Sequence, residues 1–378
     1  MPPGLAIAVA GCVATAIAIG VGRFAFTPLL PMMQADSALS LAAGGWLAAA
    51  NYAGYLVGAL IPLGFRIKAA TWIRTGLLVI GAATFLMGLA EGFAARVLLR
   101  ALAGMACAWI LIFVFAWSLE RLAPLGRPIL NALVFAGVGA GIALVGAFCV
   151  LLMSAGVRSA QGWLALGLAA FASTAAVWRT FVPQAGSPHA TAPGRWKHGC
   201  NWLVFCFGAT GFGYIIPATF LPVMARQAVS DPLLFGLSWP VFGAAVLLST
   251  LLAAPVARAV GRLPLWIASQ LVMACGVLLP EFLPGIAGIV ASALCVGSTF
   301  MVITLLAMQE ARQAAPDDAE RLMAAMTASF AFGQIAGPIC VSASGGDDGN
   351  FLVARAAAAL LLTVSAATIW GKIQRFAD

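Results

Sequence analysis

The chain has 378 residues, of which 63% are hydrophobic and only 8% are charged, and its mean hydropathy is +1.03. Soluble domains carry about 25% charged residues, so this composition excludes a water-soluble globular protein and predicts one that is solvated by lipid. The net charge of +8 would indicate a nucleic-acid partner in a soluble protein, but here the positions of the basic residues explain it as a topology signal.

Hydropathy predicts a series of membrane spans, each of about 20 mostly apolar residues. No basic residue precedes the first apolar run, which indicates an uncleaved first span rather than a signal peptide. The predicted spans lie at residues 5–33, 42–64, 69–90, 93–118, 129–154, 160–182, 199–225, 233–256, 263–283, 286–309, 321–343 and 351–373. We therefore predict an all-α membrane protein of twelve transmembrane helices, with six-helix bundles at 1–182 and 199–378 and a cytoplasmic linker at 183–198.

The basic residues predict the orientation of these spans. With the N-terminus in the cytoplasm, fourteen of the twenty Lys and Arg fall on cytoplasmic connections or at the C-terminus, whereas the outer connections hold only Arg158 and Arg226. Cytoplasmic loops of membrane proteins carry an excess of basic residues. The count therefore predicts a multi-pass protein with both termini in the cytoplasm.

The second half of the sequence resembles the first at a fixed shift of 191 positions. Parallel repeats of this kind are typical of one large class of transporters. The identities at this shift are Gly20 with Gly211, Gly22 with Gly213, Leu30 with Leu221, Pro31 with Pro222 and Met33 with Met224.

Arg23 lies inside the first predicted span. It is about ten residues, or ~15 Å, from the outer end of that helix, which places it near the middle of a hydrocarbon core that is ~30 Å thick. An unpaired arginine at this depth costs about 3 kcal/mol on insertion scales, so it requires an anion, a partner side chain or water. Arg100 in the fourth span is predicted to lie in about the same layer. A structural role for Arg23, in which it bonds to carbonyl groups near Pro28, is the alternative to a role in a cavity.

The acidic residues favour an anion as the partner of these arginines. All twelve Asp and Glu fall in connections, near span ends or at the C-terminus. A planar guanidinium binds a carboxylate or phosphate through two nitrogens. The same distribution argues against a cation pump, which needs an acid in its cavity, and against proton antiport through arginine, which keeps its proton.

Four further polar side chains are candidates to orient a ligand. Tyr214 occupies the position of Arg23 in the repeat, Tyr55 and Asn51 lie in the second span, and Gln334 lies in the eleventh. We predict that they bind the substrate together with Arg23 and Arg100. For Asn51 and Gln334, hydrogen bonding between helices is the alternative.

Two motifs in this chain resemble those of a known transporter superfamily. In "RALAGMACA", Arg100, Gly104 and Ala108 match the R-x-x-x-G-x-x-x-A pattern of the major facilitator superfamily, and "GQIAGP" resembles its G-x-x-x-G-P element. The stretches "GRFAFTPLLPMMQ" and "NYAGYLVGAL" are similar to the YbfB/YjiJ-type branch, a bacterial group of largely unassigned substrate. The resemblance covers essentially the whole chain. It implies a location in the bacterial inner membrane, a central cavity lined by spans one, four, seven and ten, and alternating access by rocking of two halves. For Arg100 the family pattern also implies a fixed structural or gating role as the alternative to ligand contact.

Small residues and prolines in spans four, five and eleven have two interpretations. They allow close helix packing, which is the simpler one, or they act as hinges for gating. The residues concerned are Gly104, Gly137, Gly141, Gly333, Gly337 and Pro338.

We therefore expect a secondary transporter of a small organic anion that works by uniport, exchange with a counter-anion, or symport with protons. The alternative is an exporter of hydrophobic or drug-like compounds, in which an arginine is structural. The eight cysteines form no C-x-x-C pair, and both histidines, His189 and His198, lie in the polar linker region. We expect no enzyme activity, cofactor, metal or nucleic acid, and a monomer in the bilayer.

Overall fold

The computed structural model describes residues 3–37, 39–61, 68–125, 127–182, 200–229, 231–315, 319–344 and 351–377. The predicted linker at 183–198 and both histidines lie outside these residues. Within them the chain is helical and contains no strand, which confirms the all-α prediction.

The first predicted span consists of two helices separated by a π-helical segment at Ile17–Arg23. The helices of the first half are α1 (Pro3–Ala16), α2 (Phe26–Ser37), α3 (Leu41–Leu60), α4 (Ala69–Met87), α5 (Phe93–Leu122), α6 (Pro128–Ser154) and α7 (Ser159–Val177). Those of the second half are α8 (Asn201–Ala228), α9 (Pro232–Gly236), α10 (Ser238–Val260), α11 (Arg262–Phe282), α12 (Ile286–Ala314), α13 (Ala319–Ser344) and α14 (Leu352–Ala377).

Eleven helical stretches in the described part of the chain are long and apolar enough to cross a membrane. Helix α3 is not among them, although its 20 residues give it the length of a span. Its hydropathy is lowered by Asn51, Tyr52, Tyr55 and several glycines. The twelve-span count and the orientation of the termini stay predictions.

The helix contacts follow the repeat that the sequence shows. In the first half α1 packs on α6, α3 on α5, α4 on α5 and α4 on α7. The second half has the corresponding pairs: α8 with α13, α10 with α12, α11 with α12 and α11 with α14. The halves meet where α6 contacts α10, α3 contacts α13 and α2 contacts α8. These contacts are the ones expected of two repeated units, while the domain boundaries stay predictions.

The motif glycines lie where helices approach each other most closely. A Cβ atom on Gly104 would lie 2.7 Å from the carbonyl carbon of Asn51, and one on Gly141 would lie 2.7 Å from the Cα of Ala16. Small residues allow backbones to approach in this way. Gly137 approaches the backbone of Cys12 in the same way, and Gly333 approaches the backbone of α8. Gly337 instead faces the side chain of Ile215. The carbonyl of Pro338 accepts a hydrogen bond from Ser342. This geometry fits the packing interpretation, and a hinge role stays a prediction.

Arg355 forms an ion pair with Glu281 that joins α14 to α11. We expect Glu281→Gln to lower the free energy of unfolding by about 1–2 kcal/mol, because it leaves a guanidinium that is only 10% exposed without its counter-charge. The loss of stability is smaller than the ~3–5 kcal/mol that it costs to remove one partner of a fully buried ion pair, since Glu281 is 30% exposed.

Thermal unfolding of the purified protein in detergent measures this effect. Glu120→Gln is the matched control, because Glu120 is 74% exposed in its pair with Arg121 and such pairs contribute at most ~1 kcal/mol. Equal melting temperatures for the two variants would contradict a stabilising role for the pair between α11 and α14.

Candidate functional site

The first long helix is irregular at the depth where Arg23 lies. Its π-helical segment ends at Arg23, and the backbone N–H of Phe24 donates to the carbonyl of Ile19, five residues before it. Two glycines in the segment lower its helix propensity, and Pro28 has no N–H to donate to the preceding turn. Such π-segments are frequent at functional sites.

Two side chains from other helices bind the backbone at this irregularity. Arg100 of α5 donates from Nη2 to the carbonyl of Arg23 at 3.0 Å and from Nη1 to that of Gly22 at 3.4 Å. Asn51 of α3 donates from Nδ2 to the same Gly22 carbonyl at 3.1 Å and to the carbonyl of Arg100 at 2.9 Å. Helices α3 and α5 therefore hold the end of the π-segment in place.

Arg100 and Asn51 are thereby engaged with the protein itself. The Arg100 side chain is 2% exposed, and its guanidinium lies 4.8 Å from the centre of the Phe26 ring. Both of its terminal nitrogens donate to carbonyls. In this conformation Arg100 and Asn51 support the site, and neither presents its main donors to a ligand.

Arg23 is arranged differently. It is 4% exposed, and its guanidinium lies 4.7 Å from the ring centre of Tyr55, 4.8 Å from that of Tyr52 and 5.7 Å from that of Phe24. Its Nε and Nη2 atoms have no hydrogen-bond partner among the described residues. These two nitrogens form the side-on edge of the guanidinium, which binds both oxygens of a carboxylate at once.

No described carboxylate balances the charge of Arg23 or Arg100. The titratable side chains near Arg23 include Tyr214, Tyr52, Tyr55 and Cys107, none of which is a carboxylate, and Arg100 adds a second positive charge. The ion pairs of the described residues join other partners: Arg121 with Glu120, Arg262 with Glu310, and Arg355 with Glu281. Within the described ranges, the site therefore holds positive charge that its own side chains leave uncompensated.

Tyr214 and Gln334 form a second polar group at the site. The Gln334 amide donates to the hydroxyl of Tyr214, and the Tyr214 ring stacks between Phe300 at 5.0 Å and Phe330 at 5.4 Å. The amide oxygen of Gln334 has no partner in the described part of the chain. The structure thus couples α8 to α13 through this pair, and the direct polar contact of Tyr214 is with Gln334.

Sequence reasoning did not select Tyr52, although its ring covers Arg23. Tyr52 is three residues before Tyr55, so both lie on one face of α3, and this spacing is a signal that could have identified it. Cys107 was also missed; its thiol donates to the carbonyl of Ala18 at 2.8 Å. Nothing in the sequence distinguishes Cys107 from the other cysteines in apolar runs.

Contacts between the two halves close the site at one end. Thr27 of α2 donates to the carbonyl of Ala218 in α8 at 2.8 Å, and the hydroxyls of Tyr52 and Thr219 are 3.0 Å apart. Thr27 and Ala218 are 191 residues apart, which is the shift of the sequence repeat, so equivalent positions of the two halves meet here. Arg226 also donates to the carbonyl of Pro31.

Comparison with known proteins identifies the family. Residues 15–369 match the family described as "Uncharacterised MFS-type transporter YbfB". The chain is 36% identical over 94 residues to the "Uncharacterized MFS-type transporter YceJ" of Bacillus subtilis (strain 168), a match that covers 24% of this chain and 24% of that protein. The crystal structure of a mutant of the nucleoside transporter NupG superposes with a TM-score of 0.72 at 14% sequence identity, covering 96% of this chain and 99% of NupG.

The likeness to NupG establishes the shared fold, and the match to the YbfB family extends over most of the chain. The family points to a transporter rather than an enzyme. The resemblance inferred from "GRFAFTPLLPMMQ" and the fourth-span motif is confirmed. The chain is a multi-pass membrane transport protein that belongs to the family of the MFS-type transporter YbfB.

Proposed function

We propose that the protein is a secondary active transporter of a small organic anion and that Arg23 binds the anionic group. The observation that supports this proposal is the side-on edge of Arg23, where Nε and Nη2 have no partner among the described residues although the side chain is buried. A carboxylate placed at this edge forms two charge-assisted hydrogen bonds and compensates the charge.

The aromatic rings around Arg23 do not replace an anion. A cation–π contact contributes about 0.5–2 kcal/mol, whereas the effective cost of burying an ion amounts to several kcal/mol. The guanidinium carbon of Arg23 lies over the rings of Tyr52 and Tyr55, while Nε and Nη2 at its edge have no partner in the described part of the chain. A single free edge suits a substrate with one anionic group.

The other site residues divide into two roles in this proposal. Arg100 and Asn51 hold the π-segment, and through it they position Arg23. Tyr55, Tyr214 and Gln334 orient the substrate, since Tyr55 is half-buried beside the guanidinium and the Gln334 amide oxygen is free to accept a hydrogen bond.

Transport would follow alternating access between two six-helix halves. In this arrangement α3 also crosses the membrane, which brings the number of spans to twelve, and both termini lie in the cytoplasm of a bacterial cell. The contacts of Thr27 with Ala218 and of Tyr52 with Thr219 then form the closed outer side of the site. Because the site offers no described carboxylate, the proton in a symport cycle would travel on the substrate. Uniport and exchange with a counter-anion fit the same geometry. Because one chain contains all the residues of the proposed site, a monomer suffices for transport.

Thermal unfolding in detergent against ligands sorted by charge tests this proposal. We expect organic anions to raise the melting temperature of the wild type in a concentration-dependent way, since a ligand at 100 times its Kd stabilises by about 2.7 kcal/mol. We expect Arg23→Gln to lose this shift while its ligand-free melting temperature stays equal to or above that of the wild type, because an uncompensated buried charge is removed. Arg96→Gln is the control, since Arg96 is half-buried at the start of α5 and donates to the carbonyl of Ala90.

The second candidate is an exporter of hydrophobic or drug-like compounds. The aromatic surroundings of Arg23 and the stacked rings at Tyr214 favour it. In that case neutral or cationic compounds would stabilise the wild type and Arg23→Gln alike, and the anion proposal would be wrong. Nucleosides belong in the panel as neutral ligands, because the structural neighbour NupG transports them.

A further inference from the structure

A groove of about 380 Å³ opens between α4 and α7, away from the Arg23 site. Leu78 in its wall is 44% exposed, as expected of a surface that faces lipid. The remaining walls come from α7 and from the short 3-10 segment Trp178–Thr180 that follows it. The groove is lined by Leu78, Phe171, Thr174, Ala175, Trp178 and Arg179.

Thr174 is a wall residue of this groove and has an unused hydroxyl. The residue is 2% exposed, and its Oγ1 atom has no hydrogen-bond partner among the described residues. Several threonines in other helices donate to the carbonyl four residues earlier, as Thr210 of α8 does to Cys206 at 2.9 Å. A buried hydroxyl without a partner costs about 1–3 kcal/mol, so a hydrogen-bonding ligand would be favourable here.

Two arginines supply positive charge at the same end of the groove. Arg179 lines the groove and is exposed. Arg74 of α4 donates from Nη2 to the carbonyl of Trp178 at 3.0 Å, and its guanidinium lies 4.8 Å from the Trp178 ring. Neither arginine has an ion pair with a carboxylate in the described ranges. One end of an apolar groove therefore carries cations and a free hydroxyl.

We infer that this groove binds an anionic phospholipid. The phosphate lies between the Arg179 guanidinium and the Thr174 hydroxyl, and the start of an acyl chain follows the apolar wall of Leu78 and Phe171. The volume suits a headgroup with part of a chain, since ligand pockets measure roughly 300–1,000 Å³. Basic pockets between transmembrane helices recognise anionic headgroups, and tryptophan is common at the depth of the headgroups.

Thermal unfolding in a neutral detergent tests this site with dioctanoyl phosphatidylglycerol, dioctanoyl phosphatidylcholine and inorganic phosphate as probes. We expect phosphatidylglycerol to raise the melting temperature at concentrations at which the other two have little effect. We expect Arg179→Gln to weaken the apparent affinity for phosphatidylglycerol about tenfold, and Thr174→Val, which keeps the shape of the side chain, about three- to tenfold. Arg158→Gln is the matched control, because Arg158 is exposed at the opposite end of α7.

Three results would overturn the inference. Equal shifts with both lipids would show that headgroup charge is not recognised. An equal shift with inorganic phosphate would indicate a site for free anions rather than lipid. Equal loss in Arg158→Gln and Arg179→Gln would show a response to net charge alone. A second readout is quenching of tryptophan fluorescence by brominated phosphatidylglycerol, which we expect to decrease in Trp178→Phe.

Discussion

Arg100→Met is expected to lower the free energy of unfolding of the ligand-free protein by about 1–2 kcal/mol, because the loss of its two hydrogen bonds outweighs the gain from removing a buried charge that lies near Arg23. The substitution keeps an unbranched side chain but removes the donors to the carbonyls of Arg23 and Gly22. The Gly22 carbonyl keeps its hydrogen bond from Asn51, whereas the Arg23 carbonyl loses its hydrogen bond from Arg100. A buried polar group left without a partner costs about 1–3 kcal/mol. Thermal unfolding without ligand measures the change.

Arg100→Lys is the matched variant for this prediction. It keeps the charge but has no planar fork to reach two carbonyls at once, so we expect a smaller loss of stability. The result also separates the two arginines of the site. If Arg100→Met melts like the wild type but no longer responds to anions, then Arg100 binds the substrate and the supporting role assigned to it is wrong.

Gly104→Leu is expected to destabilise the fold by more than about 3 kcal/mol and to reduce the yield of folded protein sharply. A Cβ atom at this position would lie 2.7 Å from the carbonyl carbon of Asn51, so α3 and α5 would have to separate. Overpacking alone costs about 1–3 kcal/mol, and the separation would also break the bond from Asn51 to the Arg100 carbonyl. Size-exclusion chromatography in detergent, followed by thermal unfolding, measures both effects.

Gly371→Leu is the control for this change. Gly371 lies in α14, and a Cβ atom there would have no neighbour within 4 Å in the part of the chain that the structure describes. Replacing glycine in a helix by leucine favours the helix by up to about 1 kcal/mol, so we expect an unchanged or slightly higher melting temperature. Similar losses for Gly104→Leu and Gly371→Leu would mean that the contact between α3 and α5 is not what requires a glycine at 104.

Hydropathy was sufficient to predict most of the helices, because a chain in lipid must satisfy its backbone within each span. The ninth span, predicted at 263–283, is observed as Arg262–Phe282, and the fourth, predicted at 93–118, extends to Leu122. The division of the first span was not predicted. Its glycines and Pro28 indicate a weak helix, but no periodicity distinguishes a π-segment from a kink.

The structure brings together several side chains that the sequence selected, but the sequence did not predict which atoms each of them contacts. Counting residues along their spans predicts a similar depth for Arg23 and Arg100, and this depth stays a prediction. The atoms that each guanidinium contacts depend on the rotation of α5 against α1 and on the path of the backbone at Gly22, and neither is encoded in spacing. For the same reason the hydrogen bond of Tyr214 with Gln334 could not be read from the repeat, which aligned Tyr214 with Arg23.

The π-segment has a geometric consequence for the far half of the first span. An α-helix turns by about 100° per residue, since it has 3.6 residues per turn. One residue gained or lost therefore changes the direction in which all later side chains of the same helix point. The wider turn before Arg23 thus fixes which side of α2 faces α8, including the side that carries Thr27. The length of Ile17–Arg23, as well as its residue types, determines how the two halves of the protein fit together.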